Sequence, residues 1–390
     1  MTRYKIIISG GGIAGLTAAL CLAKAGHRVN VFERSTAPSA LGAGIQISPN
    51  AFHVLKTLGL SGKLLSAGTA PSAIMMMNAM NGKNLARLPL GFDIEDIYGA
   101  PYLVLHRADL QTILFEACDV HPDITITHGA KIIDAAVHEN GSTVMIEKDG
   151  STNEHLCDIL IGADGIHSCV RHDILDLPKA VYTGKIAWRA LIPANQVKLS
   201  GAMSDTYVWL GSKAHAVTYP VRNGEYLNII AVTKERDETK AKEISKDKLL
   251  DKFAHWSDDF KALLEIEADW SGWPLYETRH IDCMAERSVA LIGDAAHAML
   301  PFAAQGAAQA IEDTAVLSKC LSNGNHKQDA LKAFEKARLP RLKRVVKTAR
   351  RNGQIYHLSG IAAMARNLSI RNISGEKLLS KQDWIYRWKV

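Results

Sequence analysis

The sequence predicts a mixed α/β fold: a Rossmann-like nucleotide-binding domain, interrupted by an antiparallel-sheet domain and finished by helices. Three observations predict it. Residues 4–9 form a short apolar β-rich run, Gly10-Gly11-Gly12 follow at once, and a helix-period segment, 13–24, follows them. Gly26 stops that helix and 28–32 alternates again, completing a βαβ unit whose parallel strands imply a sheet covered on both faces. Asn81-Gly82, Asn140-Gly141 and Asn223-Gly224 each lie between β-like runs, and Asn-Gly favours a two-residue hairpin turn. Segments 207–210, 214–221 and 226–233 therefore read as an antiparallel sheet, and the doubly charged stretch 234–252 as an exposed helix after it. From Gly306 the pattern is mostly helical, with breaks expected at 323–325 and at Pro340.

A chain of 390 residues has room for two or three domains of roughly 150 residues each. Its 47% hydrophobic and 22% charged content excludes disorder and fibrous repeats. No run of about 18 apolar residues is present to span a bilayer. The 4–9 run is too short for a secretory signal, so a cytoplasmic location is expected. The six cysteines are scattered without CxxC or zinc-ligand spacing, which reads as reduced core residues and no metal site. The formal charge of +6 rests on 338–351, which holds seven basic residues and no acidic one; without it the rest of the chain is near −1. That is a solvated or internally paired helix rather than a nucleic-acid groove.

Gly10-x-Gly12-x-x-Gly15 lies between strand and helix. There Gly10 permits a tight turn, Gly12 and the neighbouring Ala14 leave the backbone open to a pyrophosphate, and Gly15 allows close helix–strand packing. Glu33 ends the second strand, where a carboxylate accepts ribose hydroxyls and repels a 2′-phosphate. NAD or FAD is therefore expected over NADP. Two later blocks, 159–168 with Arg171 and 289–297, are apolar strands ending in polar turns, the edge at which ligands dock in such sheets. Asp294 at one of these edges has a carboxylate to offer a ribityl hydroxyl. The helix opening at Gly306-Ala307 presents free amides to an anion.

In this order, Gly10-x-Gly12-x-x-Gly15…Glu33, Asp164-Gly165 with Arg171, and Gly293-Asp294 resemble the single-component FAD-dependent aromatic hydroxylases, in particular the salicylate hydroxylase and 3-hydroxybenzoate 6-hydroxylase group. Gly42-Ala43-Gly44-Ile45-Gln46, His106-Arg107-x-Asp109-Leu110, Tyr219-Pro220-Val221-Arg222, Gln305-Gly306…Glu312-Asp313 and Asp383-Trp384-Ile385-Tyr386 extend the resemblance through nearly the whole chain.

The resemblance implies tightly but non-covalently bound FAD, with NAD(P)H as a transient co-substrate, O2, and a small aromatic substrate such as a phenol or hydroxybenzoate. The ring is hydroxylated through a flavin C4a-hydroperoxide. Glu33 and Arg34 are then expected at the adenosine ribose, Arg107 and Gln111 at the pyrophosphate, and Gly293-Asp294 at the ribityl chain. Gly44, Ile45, Gln46, Gly306 and Ala307 would bracket the flavin ring, Pro301 would flank its oxygen-reacting side, and Asp164 would serve both nucleotides. The plainer alternative for Arg107 is a helix-start salt bridge with Asp109, and for Arg171 a structural ion pair. The implied domains are 1–72, 100–180 and 278–322 for FAD, 73–99 and 181–277 for substrate, and a helical segment 323–390 packed on the first. The oligomeric state stays open, with a homodimer one option.

On the substrate side, His215, Val217 and Tyr219 alternate along one strand, so they share a face, with His215 and Tyr219 about 13 Å apart. By resemblance His215, Tyr219 and Gln305 approach the substrate; the plain alternative is a satisfied core His and a packed Tyr. Some relatives carry Asp where Asn78 falls, and an amide cannot act as a base there. Withdrawing a phenol proton enriches the ring at its ortho and para carbons, which suits attack by a weak electrophile. Met75, Met76, Met77, Trp209 and Leu210 are candidates for a dry lining or for plain core. Arg189 and Arg222 are candidate carboxylate anchors or structural cations.

Overall fold

The computed structural model describes residues 2–37, 44–242, 245–323 and 326–390. A six-stranded sheet runs, edge to edge, Ala285–Glu286, Val289–Leu291, Ile159–Gly162, Lys5–Ser9, Arg28–Glu33, Ile124–His128. All its pairings are parallel except that of the two-residue edge strand. Ile6, Ile7 and Ile8 are wholly buried, as a central strand covered on both faces requires. The helix Ile13–Lys24 lies against it so closely that a Cβ on Gly15 would stand 1.9 Å from the Gly10 carbonyl oxygen. Only glycine admits that approach.

A seven-stranded sheet runs Ser271–Glu277, Val181–Pro193, Tyr226–Lys234, Ala214–Val221, Thr206–Leu210, Ala73–Asn78, Asn84–Pro89. It is antiparallel except between Thr206–Leu210 and Ala73–Asn78. One face is sealed: Trp188, Ala231, Ala216 and Trp209, aligned by register, are buried with Phe253, Trp256 and Phe260 of the helices Lys246–Phe253 and Asp258–Glu265 and their connection. The other face behaves differently, as described below.

Three local expectations are corrected. None of the three Asn-Gly pairs forms the two-residue turn. Val221 pairs with Tyr226, leaving a four-residue connection in which Arg222, Asn223 and Gly224 all take positive φ. The 140–141 hairpin turns on Glu139-Asn140 and belongs to a separate three-stranded sheet, 130–157. The stretch 234–252 ends a strand, forms a short 3-10 turn at Glu238–Lys242, and then begins the helix Lys246–Phe253. Pro340 does not break its helix: Lys327–Tyr356 runs unbroken for 30 residues. Pro340 sits on the solvent side, where water can satisfy the carbonyl freed by the missing N–H. Gly324 and Asn325, at the other expected break, lie outside the described residues.

The basic stretch 338–351 is largely paired internally. Arg338 and Arg341 bind Glu312, Lys343 binds Asp282, and Arg350 binds Glu277. Arg344 lies 3.9 Å from the Trp384 ring centroid. No helix among the described residues is long and apolar enough to cross a membrane.

Candidate active site

The parallel strands ending at Ser9, Glu33, Gly162 and Leu291 bring their following loops to one sheet edge. Gly10 has φ +102°, and a Cβ there would meet the Ala163 carbonyl oxygen at 2.6 Å, so the glycine loop abuts Ala163-Asp164. Gly293 lies against Ala14 and Ala310, joining the third loop to the starts of both neighbouring helices. The Gly11 amide donates to Glu33 Oε2 (2.7 Å), and Gln111 Nε2 donates to the Gly11 carbonyl (3.0 Å). Glu33 and Gln111 thus clamp the loop from both sides. Asp164 accepts from Ser168, Cys169 and Val170 and caps the turn after its strand; burial nevertheless raises its pKa.

The first turn of the helix Ile13–Lys24 has no side-chain cap and no acidic residue, and neither has that of Gly306–Ser322. Among the described residues, a Cβ added at Gly12 or Gly306 would meet nothing within 4 Å. Both helix starts therefore present bare amides to open space, which suits a pyrophosphate at one and a polar ring edge at the other. Arg34, Arg107 and Asp294 are exposed at this edge. Asp109 faces Arg222 at 3.9 Å rather than Arg107. Arg171 makes no ion pair among the described residues; it is buried and donates to the carbonyls of Pro178 and Ala296 (2.7 and 3.2 Å).

The open face of the seven-stranded sheet carries the other expected residues. Register aligns Met76, Val208, Val217, Ile230 and Arg189 across five strands, and all five are half-buried. The rows beside them are deeper. On one side are Leu210, His215 and Val232; on the other, Tyr219 and Asn228. The face is thus a hollow with two banks.

The Tyr219 bank meets the strand Gly44–Ile47: a Cβ on Gly44 would stand 2.3 Å from the Tyr219 ring, and the Gly44 amide donates to Asn228 Oδ1 (2.9 Å). Gln46 of that strand, with Ile45 half-buried beside it, accepts from Tyr102 Oη (2.5 Å). The His215 bank meets the turn Pro301–Ala303, with Phe302 edge-on to the imidazole at 4.9 Å. Gly42 and Ala43 of the first motif lie outside the described residues.

The remaining candidates are placed as follows. Gln305 is buried and both ends of its amide are engaged: Nε2 donates to Ser48 (2.9 Å) and Oε1 accepts from Asn50 (3.1 Å). It anchors the start of its helix to the segment after Gly44–Ile47. Trp209 and Met77 point to the sealed face and are core, whereas Met76 and Leu210 lie on the open one. Asn78 accepts from the Met80 amide (3.1 Å), a local turn contact.

Two residues on the banks escaped the sequence reading. Asn228 is a buried polar residue inside the apolar strand Tyr226–Lys234, and that mismatch is a usable signal. His357, at the end of the long helix, places Nε2 2.7 Å from His215 Nδ1, and no local pattern marks it. Burial, first, and His357, second, hold His215 well below the ordinary imidazole range; burial also pushes His357 down to about 4. Burial draws the Arg189 guanidinium down to about 10 and pushes the Tyr219 hydroxyl up.

Residues 3–349 match the FAD binding domain family. The 3-hydroxybenzoate 6-hydroxylase of Klebsiella oxytoca is 32% identical over 99% of this chain and 97% of its own length. The chain belongs to the FAD-dependent aromatic hydroxylases. The 3-amino-4-hydroxybenzoate 2-monooxygenase of Streptomyces cremeus is 36% identical over 91% of this chain and 88% of that protein. A salicylate hydroxylase substrate complex superposes with a TM-score of 0.81, at 25% identity, over 99% of this chain and 96% of that one. Klebsiella pneumoniae HpxO with FAD and uric acid reaches a TM-score of 0.84 at 23% identity, over 97% and 95%, a likeness of fold. The hydroxylase uses FAD, with NAD(P)H as the reductant typical of its family. A flavin-dependent isoprenoid or quinone reductase and a non-catalytic flavoprotein, the two other readings open to such a fold, are not favoured by these relatives.

Proposed function

We propose that this hydroxylase acts on a small phenol bearing an anionic group, a hydroxybenzoate-like ring held in the hollow of the seven-stranded sheet. Arg189 carries the reading. Its half-buried side chain stands in the central row, Nε is sealed from solvent with no hydrogen-bond partner among the described residues, and the Trp273 ring lies 5.2 Å away. Among the described residues no carboxylate pairs with it. A cation taken partly out of water without a counter-charge is costly unless a ligand supplies one. The substrates named for the relatives, 3-hydroxybenzoate and 3-amino-4-hydroxybenzoate, carry such a group.

The remaining roles belong to the same proposal. Gly10, Gly12, Ala14 and Gly15 would give the pyrophosphate its amides, with Arg107 and Gln111 beside it, and Glu33 and Arg34 would hold the ribose. Asp164, Gly293 and Asp294 would hold the middle of the cofactor, and Gly44, Ile45, Gln46, Gly306 and Ala307 its ring. FAD, once reduced, supplies activated oxygen to the aromatic ring. Tyr219 and His215, on opposite banks, would orient the ring and handle the proton of its hydroxyl. Pro301 and Phe302 would help keep water out. Gln305 would act through the helix start it anchors. The domain division given above and a cytoplasmic setting complete the proposal.

The test is NAD(P)H oxidation by the yellow protein, with hydrogen peroxide followed in parallel, across hydroxybenzoates, hydroxypyridines and aminobenzoates. One carboxylate-bearing ring should stimulate oxidation with little peroxide. Arg189→Gln should raise its KM at least tenfold while a neutral phenol is affected little. Stimulation by neutral phenols alone would overturn the assignment.

A further inference from the structure

We propose that His357 forms with His215 a two-imidazole proton relay that carries the proton of a bound ring hydroxyl from the hollow to solvent. The inference rests on the reading of the hollow as the aromatic site, but concerns the residue behind His215, at the end of the helix Lys327–Tyr356.

His215 Nδ1 and His357 Nε2 are 2.7 Å apart, close enough to share one proton. Phe302 packs edge-on to His215, and Tyr356 lies against it with ring centroids 5.3 Å apart, so the imidazole has little freedom to turn away. With Nδ1 committed, Nε2 is the nitrogen left for a ring hydroxyl. His357 is the outer member, 8% exposed against 2% for His215.

The surroundings favour transfer over storage. The charged groups acting on His357 are Lys185 and Lys234 of the sheet and Arg366 of the helix Gly360–Arg371, all cationic. Arg366 also donates to the Ile355 and Tyr356 carbonyls (3.1 and 2.9 Å), pinning the helix end that presents His357. Burial disfavours an imidazolium at either ring. A lone His215 accepting a phenol proton would have to hold that charge in the core, against burial and the neighbouring His357. A pair need not. The hydroxyl O–H breaks and its proton joins His215 Nε2, the Nδ1 proton crosses to His357 Nε2, and the proton on His357 Nδ1 leaves to water. The electron pair stays on the ring oxygen, nothing is oxidised, and both imidazoles end neutral in the opposite tautomer. His357 touches no substrate; it is a positioning residue acting through His215.

The experiment uses the FAD-loaded protein and 3-hydroxy-4-nitrobenzoate, whose phenolate absorbs in the visible. A pH jump in the stopped flow reports the ionisation rate of the bound probe, and titration reports its Kd. His357→Phe should slow ionisation at least tenfold with Kd changed less than threefold, and added imidazole should restore part of the rate. His357→Gln, which keeps a hydrogen-bonding group but cannot relay, should behave alike if the phenylalanine variant folds poorly. An unchanged rate in either folded variant overturns the relay. If His215→Asn slows ionisation while both His357 variants do not, the relay fails and the site stands. If the probe and the hydroxybenzoates bind none of the proteins, the site reading fails and the relay with it.

Discussion

Two buried polar regions flank the expected cofactor site, and they are built on opposite rules. Beneath the helix Gly306–Ser322, charge is matched. Glu312 and Asp313 are wholly buried, Arg338 spans both (2.6 and 2.7 Å), and Arg341 adds a second guanidinium to Glu312. Asn50 and Gln309 donate to the same Glu312 carboxylate, and His297 sits 2.6 Å from Asp313. Burial works against the Asp313 carboxylate, but His297 and Arg338 outweigh it and its pKa ends lowered. At the open face of the seven-stranded sheet, charge is unmatched among the described residues: a guanidinium without an acid, and a buried imidazole pair whose outer ring, His357, faces cations. The matched region holds four chain segments together; the unmatched one is where the proposed ligand would sit.

Arg338→Met breaks the matched region. It takes one guanidinium from two buried carboxylates, leaving Arg341 on Glu312 and His297 on Asp313, and the cost should be about 3 kcal/mol in denaturant unfolding. Arg189→Met sharpens the contrast, because it removes a cation with no acid partner. It loses only the contact to Trp273, worth about 1 kcal/mol or less, and the relief of an unpaired charge opposes that loss. Stability within about 1 kcal/mol of the parent is expected. Equal destabilisation by the two substitutions would erase the distinction.

Gly44→Ala acts where the two halves touch. Its Cβ would stand 2.3 Å from the Tyr219 ring, and that ring is buried. The clash should cost about 1–3 kcal/mol and weaken aromatic binding, read by unfolding and by ligand titration. If the contact is the cause, Gly44→Ala should cost much less in a Tyr219→Ala background than in the parent.

Asp294→Ala removes an exposed carboxylate at the sheet edge. Apoprotein stability should hold, while FAD affinity falls at least about tenfold, near 1.4 kcal/mol. Normal yellow colour after dialysis would take Asp294 out of the cofactor site.

The sequence was most legible where the chemistry is local. Gly10 to Gly15, Glu33 and the strand Ala214–Val221 were read with nearly the right bounds, because a phosphate loop or a strand writes its requirement into adjacent residues. The matched cluster was less so. Glu312-Asp313 formed part of a recognised motif and Arg338 and Arg341 part of a basic run, yet nothing in either says that they meet. Gln305 shows the same limit: its type suited a substrate contact, but Ser48 and Asn50, over 250 positions away, engage its amide. His357 had no local mark, since its partner lies 142 residues earlier.

The smallest expected effect is in the acid response. His215 and His357 fold with depressed pKa values, as do His27 and His53, so the unfolded chain binds more protons than the folded one as pH falls through the ordinary histidine value. Their stabilising contribution is complete above about pH 6.5 and declines below it, for His357 down to about 4. Between pH 7 and about 5.5, His357 should account for about 1 kcal/mol of lost stability. His357→Gln should flatten the unfolding free energy by that amount over the same interval. The matched cluster loses stability in the same direction but in a lower window, because the lowered carboxylate of Asp313 begins to tell only as pH falls to the ordinary Asp value of about 3.9 and below. A loss that survives His357→Gln unchanged would mean that other histidines carry the acid response and that the His215–His357 pair accepts protons in the folded state.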